Sequence, residues 1–416
     1  MFLRCKVYFF FFYIFFKCIN DNSIALFYSG HSHYKSGDQL FPFEVNKNFY
    51  YLTGIQQDGS ILILIKKSSM QKTFLFIPNI NPIHKLWNDD QLNKEQITNI
   101  SKISCNNIYE MKDFNVWLNQ QICEFKSLSP KVYFDIPYYH KKYYCWGYEQ
   151  IYKFLSSWPW IEIANSSPIL LNLRKQKNNE EINYIKHAID IHYHSLIYTF
   201  NNLKKCQYEF EISAHFHYFL EMQKAKNAFE TIVASGKNAL ILHYNKNNSK
   251  LNDEDICLMD AGVVINNYSS DITRCFPLKH KFTSIQNQIY DLVLNTNKIL
   301  INWVKPEHSM QDLNRYGKQI LAQGMLKLGF VEKIENYFYH SISHYLGLDT
   351  HDVLGISPEE PIGENSVISI EPGLYIEHLN LGIRIEDNII VKKQGNINLS
   401  AKIPKEIAEI ESLIIK

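Results

Sequence analysis

The 416-residue sequence has no closely spaced cysteine pair, no long apolar run and no excess of one charge. Each absence narrows what the chain can be. Its eight cysteines, Cys5, Cys18, Cys105, Cys123, Cys145, Cys206, Cys257 and Cys275, are scattered and contain no CxxC. That spacing argues against a disulfide framework or a thiolate zinc site. It favours reduced thiols and a cytoplasmic protein. Cys257 and Cys275 flank two aspartates of interest and read as core filler. A formal net charge of +1 gives no field to attract nucleic acid or an acidic membrane.

The apolar run Val7 to Phe16 is shorter than the roughly 20 residues a membrane helix needs. Arg4 and Lys6 before it give the stretch the look of a signal peptide, but no A-x-A-like cleavage site follows. We read it as a first helix packing on the N-terminal domain. The text after Asn20 runs straight into a strand-like segment.

What is present is the balance of a globular protein: 46% apolar and 20% charged residues. The abundance of Asn, Lys, Ile, Phe and Tyr is read as nucleotide bias of the source genome. The length suits two domains. Strand-like runs at 23–28, 49–54, 61–66, 73–78 and 131–135, with helical text at 92–102 and 112–122, suggest an α/β N-terminal domain, 1–168. The Ser-Ser-Pro turn signal at 166–168 marks the expected boundary. Residues 169–416 alternate differently. Helices are expected near 178–203, 208–226, 284–302 and 309–329, interleaved with hairpin-like strands, an α+β pattern. Acidic residues Glu180 and Glu181 open the first of these helices.

Chemistry concentrates in this second half. Asp260 and Asp271 lie in LMDAG and SSDITRCF, where a turn between antiparallel strands returns the second beside the first. Glu371 and Glu386 repeat the pattern in ISIEPGLY and GIRIEDN. His344 sits in an apolar stretch with His340 and His351 close by. Four carboxylates and an imidazole cannot be buried together without cations. The oxygen-rich set favours hard or borderline divalent ions. Arg384, two residues before Glu386, is expected on the same side and to orient the site.

Taken in order, these segments resemble the pita-bread metallopeptidases, and most closely the aminopeptidase P (Xaa-Pro aminopeptidase) branch. FETIVASGKNALILHYN, DAGVVINNYSSDITRCFP, HSISHYLGLDTHDV, EPGLYI and GIRIEDN, and NLSAKIPKEIAEIE carry the likeness, together with DQLFPFEVNKNFYYLTG near the N-terminus. The resemblance implies an α+β pita-bread catalytic domain behind a smaller α/β N-terminal domain. It implies two divalent ions, manganese foremost, with Asp260 on one ion, His344 and Glu371 on the other, and Asp271 and Glu386 bridging both. His243 is implied to assist catalysis, and His351 to contact substrate near the scissile bond. His340 would line the proline pocket, and Arg384 would sit beside the bridging glutamate. Trp87 would border the pocket from a neighbouring subunit, so a homodimer or homotetramer is expected. Two departures stand out. The loop joining Glu371 to Glu386 is short, and the Trp87 segment, IHKLWNDDQL, lacks the family's usual glycine two residues on.

The implied reaction is hydrolysis of an N-terminal Xaa-Pro bond by a hydroxide held between the ions. Glu371 would move its proton. The substrates implied are peptides with proline second. The alternatives are a prolidase, restricted to Xaa-Pro dipeptides, and a non-catalytic binding protein on the same fold.

Overall fold

The structure, a computed structural model, describes residues 7–79, 91–125, 130–136, 146–279 and 281–415. It divides into two compact units, Met1–Arg174 and Lys175–Lys416. The division falls beyond the expected boundary. Ser167 and Pro168 open the helix Ser167–Lys175 instead of forming a linker. Proline suits a first helical turn because its missing N–H has no intrahelical partner there.

The first unit is built on a six-stranded mixed sheet. Its order is Ile108–Glu110, Met70–Ile77, Ile61–Lys67, Ser23–Tyr28, Lys131–Phe134, Ile163–Asn165. Helices Lys94–Ser101 and Phe114–Cys123 follow where helical text was expected. The N-terminal helix Val7–Cys18 packs on this unit, with Phe15 edge-on to Phe27 and Phe11 stacked on Tyr51. Residues 49–54 were expected as a strand. They lie instead in the helix Lys47–Thr53. The Asn46 side chain caps its first turn and Gly54, in the left-handed region, ends it. Phe49 to Thr53 are all buried, so the run shows neither helical nor strand period.

Among the described residues the second unit combines five α-helices with short strands paired antiparallel, as expected for α+β. The helices are Asn179–Asn202, Glu209–Met222, Ser284–Trp303, Met310–Lys327 and Ile407–Ile415. Asn178 and Glu181 form a capping box at the first, a device worth about 1 kcal/mol. Ile182, Ile185, Ile189, His192, Leu196 and Phe200 line its buried face at helical spacing.

The strand Ile256–Ala261 lies between Ile232–Ser235 and Ile272–Pro277. Between Ile256–Ala261 and Ile272–Pro277 the chain forms a small hairpin that turns at Asn266 and Asn267, both with positive φ, as a two-residue turn requires. The pair Val367–Ile370 and Asp387–Val391, and the pair Gly373–Ile376 and Leu381–Arg384, complete the frame of the site.

Candidate metal centre

Antiparallel register sets the first two carboxylates. Asp260 sits opposite Thr273, and Asp271 precedes that strand by one residue. Asp271 is held at its backbone. Its N–H donates to Asn388 Oδ1 at 3.0 Å and its carbonyl accepts from Asn388 Nδ2 at 2.7 Å. Glu371 follows the strand Val367–Ile370, and Glu386 lies between Leu381–Arg384 and Asp387–Val391.

His344 belongs to an irregular segment tied alongside Val367–Ile370. Ser369 N donates to His344 O at 2.9 Å, and Glu371 N donates to Ile342 O at 2.8 Å. His344 Nδ1 lies 3.0 Å from the carbonyl of Tyr345. A carbonyl only accepts, so Nδ1 carries a proton, and Nε2 faces the carboxylates. Nε2 is 3.3 Å from Asp271, 3.4 Å from Glu371 and 3.8 Å from Glu386.

Three groups of donors lie within 4.8 Å: Asp260, Asp271 and Glu386; His344, Glu371 and Glu386; and Asp271, His344 and His351. Glu386 is common to the first two, and Asp271 is within reach of His344 as well. The three groups thus overlap in one cluster. Asp260 Oδ1 and Glu386 Oε1 are buried with no hydrogen-bond partner. Such atoms are costly unless a cation uses them.

The electrostatics agree with that requirement. Burial, and then the charge of Glu386, push Glu371 up to about 8 and Asp271 well above the carboxylate range. Burial also raises Asp260, against the pull of Arg384. Burial opposes ionisation of Glu386 too, but His344 and Arg384 outweigh it and hold its pKa below the ordinary value. Without a cation, the cluster must retain protons. Divalent ions would replace them.

Arg384 does not pair with Glu386. Its Nη2 donates to Asp260 Oδ2 at 2.6 Å, Nε to Thr273 Oγ1 at 3.0 Å and Nη1 to the Tyr375 hydroxyl at 2.9 Å. Thr273 in turn donates to Glu386 Oε2 at 2.8 Å. Arg384 reaches Glu386 through this hydroxyl. Tyr375 also lies 2.9 Å from His340 Nε2, while His340 Nδ1 is 2.8 Å from the Ser341 carbonyl. Burial lowers His340 to about 4, so its ring is neutral near pH 7.

His351 is exposed, and its ring centroid lies 4.2 Å from that of His344. Desolvation beside the cluster, then the charge of His344, lower it to about 4. The next residue, Asp352, pairs with Lys177 at 3.0 Å, both fully buried. His243 is exposed at the edge of the site, near enough for its charge to act on His351. Trp87 lies outside the described residues.

Sequence reasoning missed Thr273, Tyr375 and Asn388. The signal for Thr273 was available: it stands two residues from Asp271 in a strand-like run and shares its face. Tyr375 and Asn388 act across strand pairs and carry no local signature.

Residues 183–393 match the model of metallopeptidase family M24, and residues 14–128 match that of the aminopeptidase P N-terminal domain. The chain is 30% identical to Xaa-Pro aminopeptidase of Haemophilus influenzae, over 96% of this chain and 95% of the relative. It superposes on a Bacillus anthracis structure assigned to aminopeptidase P with TM-score 0.93 and 34% identity, covering 98% of each chain. Zinc-substituted aminopeptidase P of Escherichia coli, in complex with product, is similar at TM-score 0.87 and 26% identity, over 99% of this chain and 98% of that one.

Proposed function

The chain belongs to metallopeptidase family M24 and carries the aminopeptidase P N-terminal domain, and from this premise we propose that it is a metalloaminopeptidase cleaving the bond between a free N-terminal residue and a following proline. The observation that carries the reading is the buried donor cluster with two partnerless carboxylate oxygens. Its donors fit divalent cations. Asp260, Asp271 and Glu386 would hold one ion, and Asp271, His344, Glu371 and Glu386 the other. Four carboxylates to one imidazole favour manganese over thiolate-seeking ions.

When bound, the ions would make water acidic near neutral pH and polarise the substrate carbonyl. The residues supply the rest. Glu371, set among the donors beside that water, would take the proton of the attacking water and deliver it to the leaving nitrogen. His351 would donate to the carbonyl oxygen as charge develops. His243, beside it, would assist. Asp260, oriented by Arg384, would hold the free α-amino group and so select the chain end.

The nitrogen of an Xaa-Pro bond carries no hydrogen. The site must therefore recognise the proline ring by shape. His340, fixed by Tyr375 and packed edge-on to Phe338, provides a rigid neutral wall for it.

Metal-free protein reloaded with Mn²⁺, and separately with Zn²⁺, Co²⁺ and Mg²⁺, tests the proposal. Release of the first residue from Xaa-Pro-Xaa is expected. Cleavage of Xaa-Pro dipeptides alone would make the enzyme a prolidase. No cleavage with any ion would leave a binding protein.

Two further parts of the reading concern assembly and location. A homodimer or homotetramer is proposed, with the N-terminal domain, including Trp87, bordering a neighbour's site. Sedimentation as a fully active 49.0 kDa monomer would refute it. A cytoplasmic location is supported by free thiols at Cys18, Cys105, Cys123, Cys206, Cys257 and Cys275. No helix among the described residues is long and apolar enough to cross a membrane.

A further inference from the structure

The steps above do not use the fully buried carboxylate of Glu209, the first residue of the helix Glu209–Met222. Among the described residues it has no ion-pair partner. Its charge is met by hydrogen bonds instead. Oε1 accepts from Ser235 N and Oγ, both at 2.8 Å, and from Asn238 Nδ2 at 2.9 Å. Oε2 accepts from the Tyr244 hydroxyl at 2.8 Å and from Ser249 N at 3.0 Å.

All five donors come from one segment, residues 235–249. An ionised acceptor makes each of these bonds stronger than a neutral one would. The Glu209 N–H also donates to Ser249 O at 3.1 Å, so backbone as well as side chain grips the far end of the segment. Little of this segment is regular structure: a five-residue 3₁₀ turn, Gly236–Leu240, precedes His243 and Tyr244. With few ladder bonds of its own, it takes its shape from the carboxylate at its centre.

His243 lies inside that loop. Its neighbour Tyr244 is buried with its hydroxyl on Glu209, whereas His243 is exposed and near enough to act electrostatically on His351. Anchoring one ring inward turns the next side chain outward. Two other ties fix the same span. Tyr339 donates to Leu240 O at 2.9 Å, and Asn247 bridges Val233 N and Thr231 O.

We propose that Glu209 is the positioning residue for His243: through Tyr244, Ser235, Asn238 and Ser249 it folds the 235–249 segment so that the imidazole faces the scissile bond. The inference rests on the reading that His243 assists the reaction. A residue held in a productive position by such a shell is worth as much to the rate as a direct contact, since a displacement of about 1 Å can cost about 10²-fold.

The test is a double-mutant cycle on metal-loaded enzyme with an Xaa-Pro-Xaa peptide. The variants are Glu209→Gln, Tyr244→Phe, His243→Ala and the two doubles carrying His243→Ala. Glu209→Gln turns an amide towards donors. Tyr244→Phe removes a single hydroxyl and keeps the test open if the first variant does not fold. Each single variant is expected to lower kcat by on the order of 10–100-fold with bound metal unchanged. Each double is expected to be no slower than His243→Ala alone, because both changes remove one effect. Losses that multiply would overturn the inference and leave the role of His243 standing. So would full activity in Tyr244→Phe, or loss of metal from it. A fully active His243→Ala would overturn the reading of His243, and this inference with it.

Discussion

Arg384 donates to Asp260 at 2.6 Å and leaves the other oxygen of that carboxylate without a partner. The guanidinium therefore aims Asp260 at the cluster. It does not neutralise the cluster, which still holds three more carboxylates.

Arg384→Lys should behave as a severe change. A lysine ammonium cannot serve Asp260, Thr273 and Tyr375 at once. Divalent-metal affinity should fall at least about tenfold and kcat about 10²-fold. Calorimetric metal titration beside steady-state kinetics checks this. Wild-type values in both would reduce Arg384 to packing.

Metal removal should reverse the pH dependence of one part of the stability. With no cation, Glu371 is raised to about 8. A carboxyl raised above its unfolded value contributes stability when protonated and loses it as pH rises. Metal-free protein should therefore weaken between about pH 4.5 and 8 through this group. Loading with metal should expel the protons retained by Glu371 and Asp271. Titrations in buffers of different ionisation enthalpy should report that release, and elemental analysis two ions per chain. One ion in active enzyme would end the dinuclear reading.

Glu371→Gln and Asp271→Asn should abolish turnover while the fold persists. His351→Ala should slow the reaction by about 10²–10⁴-fold, the range of an acid–base or oxyanion partner. Near-normal rates in His351→Ala would assign that ring to packing on His344.

His192, outside the donor set, supplies a test of acid stability. Burial, then the charge of Arg274, lower it to about 3, and its Nδ1 is 3.3 Å from Ser270 Oγ. A histidine depressed by folding contributes full stability above its unfolded value of about 6.5 and loses it as pH falls towards 3. Between pH 7.5 and 5 the wild type should lose about 2 kcal/mol more than His192→Gln. Urea unfolding at both pH values measures the difference. Parallel curves would contradict it.

Gly382→Ala should disturb the loop that carries His243. A Cβ there would lie 2.2 Å from Ala239 O, a backbone atom that cannot swing aside. The expected cost is about 1–3 kcal/mol, with lower kcat. Thermal unfolding and kinetics check both. An unchanged variant would show that the 236–240 turn tolerates displacement.

The sequence by itself determined the strong local signals. The helix Asn179–Asn202 was legible because its hydrophobic period and the acidic residues at its start are written in neighbouring residues, whereas its capping box was not read. The turn that returns Asp271 beside Asp260 was legible because apolar strand-like runs flank it. The five metal-ligand-type residues were visible because carboxylates are out of place in apolar strands.

Tertiary structure decided everything that depends on residues far apart. Residues 49–54 became helix because an Asn cap and a Gly stop outweighed an apolar run of no clear period. Arg384 found Asp260 and reaches Glu386 only through Thr273, whose hydroxyl lies between them. Thr273, Tyr375 and Asn388 joined the site through cross-strand register. Glu209 became the centre of the His243 loop through five bonds spanning 26 to 40 positions. Local preference is a property of a few adjacent residues. The partner of a buried polar atom is set by the packing of the whole unit, which no single segment encodes.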